Sequence, residues 1–279
     1  MNAITDQGAG NKFNGLPLLE DYLGWREMDR DPQPSGCIGA LQGGVLNLLD
    51  LRPSDVKVSD ICRGLSAIPR YNGQTDCSKW GGAKDRIWTV TDHSVVAFEF
   101  AKKLSVILGL PLSRSYLYAA YTLLHDAPEY IIGDIVSPLK LLLKPYISEI
   151  EDGLARSVHI AFGLPAEPDE EMATLIKLAD EVMLLVESVA IRPGFEHYEM
   201  RITEQSRWLL RNLAFSHPDR IEDLLTINPR LEIPAADKMA AALDEILAYP
   251  LVAQNVVNIA DIVSQSGSAE DIPGPSMGA

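Results

Sequence analysis

Apolar residues recur at helical spacing along most of this chain. Between 88 and 108, Val96, Phe100, Leu104 and Ile107 fall on one face, and Gly109 and Pro111 mark the end. A second stretch, 113 to 127, aligns Leu117, Ala120, Tyr121 and Leu124. Further helical patterns run over 145 to 162, 168 to 191, 197 to 214 and 236 to 264, separated by Gly163-Leu164-Pro165, Pro193-Gly194 and Pro229. Upstream, Ser59 or Asp60 is placed to cap a short helix that carries Ile61, Leu65 and Ile68 and stops at Pro69, and Asn72-Gly73 reads as a turn. Alternating strand patterns are scarce, so the pattern predicts an all-α fold, a bundle of neighbouring helices. Residues 1–44, rich in Gly, Pro, Asp and Asn, read as an irregular extension, and 45–215 as the main domain. The span 216–264 adds C-terminal helices on the same domain, and the small, polar tail 265–279 reads as disordered.

With 279 residues, 47% of them hydrophobic, the chain has enough apolar material for a sizeable core. A formal charge of −15 argues against a broad basic surface, and with it against nucleic-acid and anionic-membrane binding, because polyanions need clustered Lys and Arg. Cys37, Cys62 and Cys77 are odd in number and lack CxxC spacing, which predicts thiols in a reducing compartment, the cytoplasm. The N-terminal residues carry no signal-peptide pattern, and no apolar run is long enough to span a bilayer.

Only five histidines are present. His93 sits in "TVTDHSVVAF" near the start of one predicted helix, and His125-Asp126 closes the next. Asp180 lies within "TLIKLADEVMLLVE", where a carboxylate is costly unless paired, hydrogen-bonded or bound to a metal. A lone His or Asp is more often a satisfied or solvated residue than a ligand. Their co-occurrence on successive apolar helices points instead to four imidazole and carboxylate donors for one divalent transition metal ion, with Zn, Mn, Co, Fe and Ni not distinguished and Mg an alternative.

The order H…HD…D formed by His93, His125-Asp126 and Asp180 resembles the HD-domain metal-dependent phosphohydrolases. The string "HDAPEYIIGDIVSPLK", with "SAIPRYNGQT" and "WTVTDHS" upstream, is similar to the branch containing bacterial 5′-deoxynucleotidases and phage-type nucleotide phosphohydrolases. The similarity spans roughly 45 to 190. It implies an HD-domain helical bundle with His93, His125, Asp126 and Asp180 as metal ligands. It also implies Glu129 as the catalytic carboxylate and Asp134 as a group that holds the substrate or its attacking water. Arg70 matches the phosphate-binding arginine, a role suited to its planar fork of donors. Lys140 is either a second phosphate contact or a solvated lysine at a helix start. Tyr71 and Asn72 either form a plain turn or shape a base pocket, and Trp88 either stacks on a base or belongs to the core. Glu187 is either a support behind the ligands or structural. The segment 76–87 looks like an insertion relative to the family pattern and is expected to border the substrate.

The resemblance implies a small-molecule nucleotide substrate and a homo-oligomer. Hydrolysis of nucleoside 5′-monophosphates is the preferred expectation, and release of triphosphate from a dNTP is the alternative. A non-catalytic nucleotide-binding protein is a weaker one, because the full ligand set is kept. The GYP element expected beside the HD pair for cyclic-dinucleotide hydrolysis is not visible.

Overall fold

The protein is described from a computed structural model, which defines residues 36–40, 45–83, 85–192 and 202–249. Its packing divides the chain after Cys37, whereas the sequence pattern placed that boundary after 44. Nearly all of 1–44, the 193–201 connection and everything after 249, including the expected disordered tail, lie outside the described residues.

Among the described residues the fold is all-α. Nine helices accompany one short two-stranded sheet, β1 (Cys37–Gly39) with β2 (Val45–Asn47). The helices are α1 (Val58–Ala67), α2 (Val90–Ile107), α3 (Leu112–Leu124), α4 (Glu129–Ile132), α5 (Ser137–Ala161), α6 (Glu170–Ile191), α7 (Glu204–Ser216), α8 (Pro218–Leu225) and α9 (Ala235–Leu247). None is long and apolar enough to cross a membrane. All three cysteines are free thiols.

Helix α2 is the axis of the bundle. Thirteen of its eighteen residues are buried, so it is covered on nearly every side, by α1, α3, α6, α8 and α9. Its start is sharply defined: the Thr89 side chain accepts from Asp92 N–H while Asp92 Oδ2 accepts from Thr89 N–H, a reciprocal cap. Asp92 is fully buried and gathers Arg86, through two 3.1 Å bonds, together with Lys238 of α9. One carboxylate thereby ties the segment before α2 to the C-terminal helices.

Several boundaries differ from the sequence pattern. Ser59 and Asp60 lie inside α1, whose N-cap is Lys57. The second long helix ends at Leu124 rather than 127, and a turn over 125–128 leads into the short α4. Helix α5 begins at Ser137, not near 145, because Pro138 in the first turn lacks only an N–H that would be unpaired there anyway. Helix α7 begins at Glu204, and α8 was absent from the sequence reading. The expected extension of the last helix to 264 lies outside the described residues.

The described residues of 76–87 do not line the cleft over the candidate site. Cys77 is buried, its thiol bonding Arg86 O at 3.2 Å, and the turn Cys77–Trp80 packs on α6 while Trp80 meets Trp88 with ring centroids 5.0 Å apart. A Cβ on Gly82 would lie 2.7 Å from Leu231 Cδ1, so the segment is folded tightly against the chain between α8 and α9. Asp76 N–H reaches Ile191 O at 2.7 Å.

Candidate metal centre and cleft

Three helices and one turn bring the candidate ligands together. His93 faces inward from the first turns of α2 and is completely buried. His125 caps the end of α3, Asp126 follows in the turn, and Asp180 lies midway along α6. One ligand atom from each of His93, His125 and Asp180 lies within 4.8 Å of the other two, a cluster able to hold a metal ion. Asp126 lies against it, with Oδ2 3.3 Å from His125 Nε2 and 3.7 Å from His93 Nε2.

The hydrogen bonds behind the imidazoles decide what these atoms offer. His125 Nδ1 is 2.6 Å from Thr122 O, a carbonyl oxygen that only accepts, so Nδ1 carries the proton. His93 Nδ1 is 2.7 Å from Glu187 Oε1, and donating to that carboxylate oxygen leaves Nε2 to face the cluster. With both Nδ1 atoms engaged, the two Nε2 atoms face the same space, 3.2 Å apart, and each offers a lone pair there once deprotonated. Asp180 Oδ1 faces the same space, 3.1 Å from His93 Nε2, and Asp126 Oδ2 is the next nearest acceptor. Converging acceptors call for a cation, and imidazole with carboxylate donors fits a divalent metal.

The charges respond accordingly. Burial opposes protonation of His125, yet Asp126 and Asp180 outweigh it and hold the imidazole pKa well above its ordinary value. Burial would raise Asp180, but hydrogen bonds from His125 and His93 hold it well below the usual carboxylate range. Asp126 is likewise driven low by His125 and Arg70 against the cost of burial.

Arg70 reaches this point through the backbone. Pro69 bridges Thr89 in antiparallel fashion, Arg70 N–H donates to Trp88 O at 2.9 Å, and Val90 N–H donates to Ile68 O at 3.0 Å. This pairing holds the loop to the start of α2, so the buried guanidinium meets Asp126 Oδ2 at 3.0 Å. The following residues, Tyr71, Asn72 and Gly73, all have positive φ, at 54°, 52° and 73°. Two non-glycine residues in the left-handed region mark a turn imposed by its surroundings.

A cleft of about 640 Å³ opens over the cluster. Arg70, Tyr71, Asn72, Asp126, Glu129, Asp134, Lys140 and Asp180 all line it, with His93 and His125 set into its floor. Glu129 is buried in the first turn of α4, and its Oε2 has no hydrogen-bond partner among the described residues. Burial, with the Asp126 and Asp134 carboxylates adding, pushes its pKa up to about 9. Asp134 follows Gly133, which ends α4 at φ 78°, and burial raises its carboxyl as well. Lys140, early in α5, pairs with Glu151 at 3.0 Å and lines the cleft. A second cavity of about 550 Å³, at the ends of α2, α3 and α9, is lined in part by Phe98, Leu110, Tyr116 and Tyr249 and holds none of these residues.

Trp88 is a correction. It is completely buried against Trp80 in the main core and does not line the cleft, because the bridge that aims Arg70 at the site turns Trp88 away from it. The described residues of 76–87 stay clear of the cleft too. The sequence reading missed Gln74, Leu184, Ser188 and Arg192 on the wall. Asp180, Leu184 and Ser188 recur every four residues, so helical spacing from Asp180 was a usable signal for the latter two.

No family model matches the chain. It is 36% identical over 159 residues to the uncharacterized protein RCAP_rcc00048 of Rhodobacter capsulatus, covering 57% of this chain and 74% of that protein. It is 27% identical over 137 residues to the uncharacterized protein YfdR of Escherichia coli, covering 49% of this chain and 62% of that protein. At the identity and coverage of the first match, the chain belongs to the family of the Rhodobacter capsulatus protein.

Proposed function

We propose that this protein is a metal-dependent HD-type phosphohydrolase of the cytoplasm that hydrolyses (deoxy)nucleotides, with nucleoside 5′-monophosphates as the preferred substrates. The observation that carries the reading is the pair of imidazole Nε2 atoms facing each other, with Asp180 and Asp126 oxygens alongside, on the floor of a cleft with Arg70 on its wall. His93, His125, Asp126 and Asp180 would hold one divalent ion, and their mixed donors suit Zn, Mn, Co, Fe or Ni without choosing among them. When bound, such an ion polarises a phosphoryl oxygen and acidifies water.

The remaining work belongs to the chain. Arg70, now paired with Asp126, offers a planar fork to a phosphate at the cleft wall. Glu129 holds or releases a proton at Oε2, the atom without a partner, beside the phosphate subsite. Asp134 faces the same space and orients the substrate or its attacking water. His93 is closed off from solvent, whereas His125 and Asp180 stay partly open to it.

Arg192 and Lys140 favour a second reading, because with Arg70 they give the cleft three cationic side chains. A triphosphate would use more of them than a monophosphate. A panel of dNMPs and dNTPs assayed with Mn2+, Co2+, Zn2+ or Mg2+ separates the two. Phosphate release from monophosphates is expected; triphosphate release with no monophosphate turnover would favour the second reading. Absence of hydrolysis with every metal would refute the enzyme.

A further inference from the structure

Glu187 of α6 is fully buried, and its two carboxylate oxygens are held from opposite directions. Oε1 accepts from His93 Nδ1–H at 2.7 Å, and Oε2 accepts from the Tyr71 hydroxyl at 3.0 Å. Tyr71 belongs to the cleft wall, where Arg192 lies over its ring at 4.8 Å, and its left-handed backbone, φ 54° and ψ 32°, turns the ring to meet both. A carboxylate out of contact with water needs donors at both oxygens to keep its orientation. One of those donors is the imidazole under the metal cluster, and the other is a residue that any occupant of the cleft touches.

From this geometry we infer that Glu187 is a positioning residue for His93 and that Tyr71, acting through Glu187, couples the cleft wall to the metal-ligand set. The inference rests on the metal-centre reading. Glu187 fixes the proton of His93 on Nδ1 and so presents Nε2 to the cluster, and the phenol keeps Glu187 from rotating away. Carboxylates behind a ligating histidine act in this way in metal sites generally.

The test uses the full chain stripped with EDTA and titrated with Co2+ alone against a chromophoric chelator, with the unfolding midpoint of every metal-free variant recorded. Glu187→Ala is expected to weaken Co2+ binding roughly 10- to 100-fold. Glu187→Gln keeps an acceptor oxygen for His93 and should recover most of that loss. Tyr71→Phe should weaken binding by a smaller factor, and should add nothing in the Glu187→Ala background, because both changes break one relay. In the metal-free protein under mildly alkaline conditions, 15N resonances of the His93 imidazole should report the Nδ1–H tautomer, and Glu187→Ala should erase that preference. Wild-type affinity in Glu187→Ala, full additivity of the two changes, or a proton on Nε2 in the wild type would each overturn the inference. If the wild type binds no Co2+, the metal-centre reading fails by itself. The imidazole resonances then decide the relay: unchanged in both Tyr71→Phe and Glu187→Ala they overturn it, shifted in both they support it. Should Glu187→Ala not fold, Glu187→Gln and Tyr71→Phe carry the same comparison.

Discussion

Glu129 concentrates the chemistry of the cleft in one atom. Its Oε2 is buried and has no partner among the described residues, and the side chain lines the cleft. Glu129→Gln should therefore leave Co2+ affinity near wild type while lowering turnover by roughly 10²- to 10⁴-fold, the usual loss for a general acid or base. A variant that loses metal and turnover together would make Glu129 a ligand instead. Away from the cleft, His159 offers a readout of stability. Burial lowers its pKa, opposed by the hydrogen bond from Nδ1 to Ala166 O at 2.8 Å. In the unfolded chain the imidazole titrates near its ordinary value of about 6.5. Between that value and the lower folded one the unfolded state binds more protons, so stability is complete above about pH 6.5 and falls as pH drops through it. Thermal unfolding followed against pH should show that slope, and His159→Gln, which can still donate to Ala166 O, should flatten it. An unchanged slope would assign the acid sensitivity to other groups. The clustering of His93, His125 and Asp180 was legible in the sequence because His and Asp are conspicuous beside apolar helical stretches; Asp126 lies against that cluster from a turn. Glu187 was only half legible: a buried carboxylate on a helix spells the same as an exposed one, and its partners Tyr71 and His93 are about a hundred residues away.

Helix α4 is only four residues long, yet it carries Glu129, so its position depends on what it leans against. It leans on α1 at Gly64, where an added Cβ would meet Tyr130 Cβ at 2.8 Å and its Cα at 3.2 Å. No flexible side-chain end can yield there. Gly64→Ala should cost about 1–3 kcal/mol in denaturant unfolding, the range for overpacking. It should also lower kcat more than Co2+ affinity, because α4 moves and α2 does not. Equal loss of both would mean that the strain spreads to the ligands. Element existence was legible from periodicity, and element ends were not. The turn over 125–128 replaces the last turn expected of α3, and the pattern "SPLKLLLKPY" hid the true start of α5 because Pro138 opens that helix instead of stopping it. The placement of Trp88 was likewise open in sequence: only the bridge between Pro69 and Thr89 decides that it faces the core.

At the scale of the molecule, the Asp92 cluster joins two distant parts of the chain: Arg86 and Asp92 at the start of α2, and Lys238 from α9. Lys238 is 3% exposed and also donates to Pro229 O at 2.9 Å. Replacing it with methionine leaves Asp92 with Arg86 as its one cationic partner among the described residues, beside the Thr89 cap. Lys238→Met should cost about 3 kcal/mol, at the low end for breaking a buried pair because one cation stays. The denaturant midpoint should fall without a change in slope; an unchanged midpoint would make the lysine dispensable. The burial of α2 on nearly every side has a kinetic consequence as well. Amide hydrogens in its first turns, around His93, have no local route to solvent and should exchange only when the whole molecule opens. Those of 70–74 and 133–136, which sit in turns at the cleft mouth, should exchange through small local openings. Hydrogen exchange read by mass spectrometry would show the two classes separated by orders of magnitude. The cleft would then have a floor that opens only with the whole molecule and a rim that opens locally.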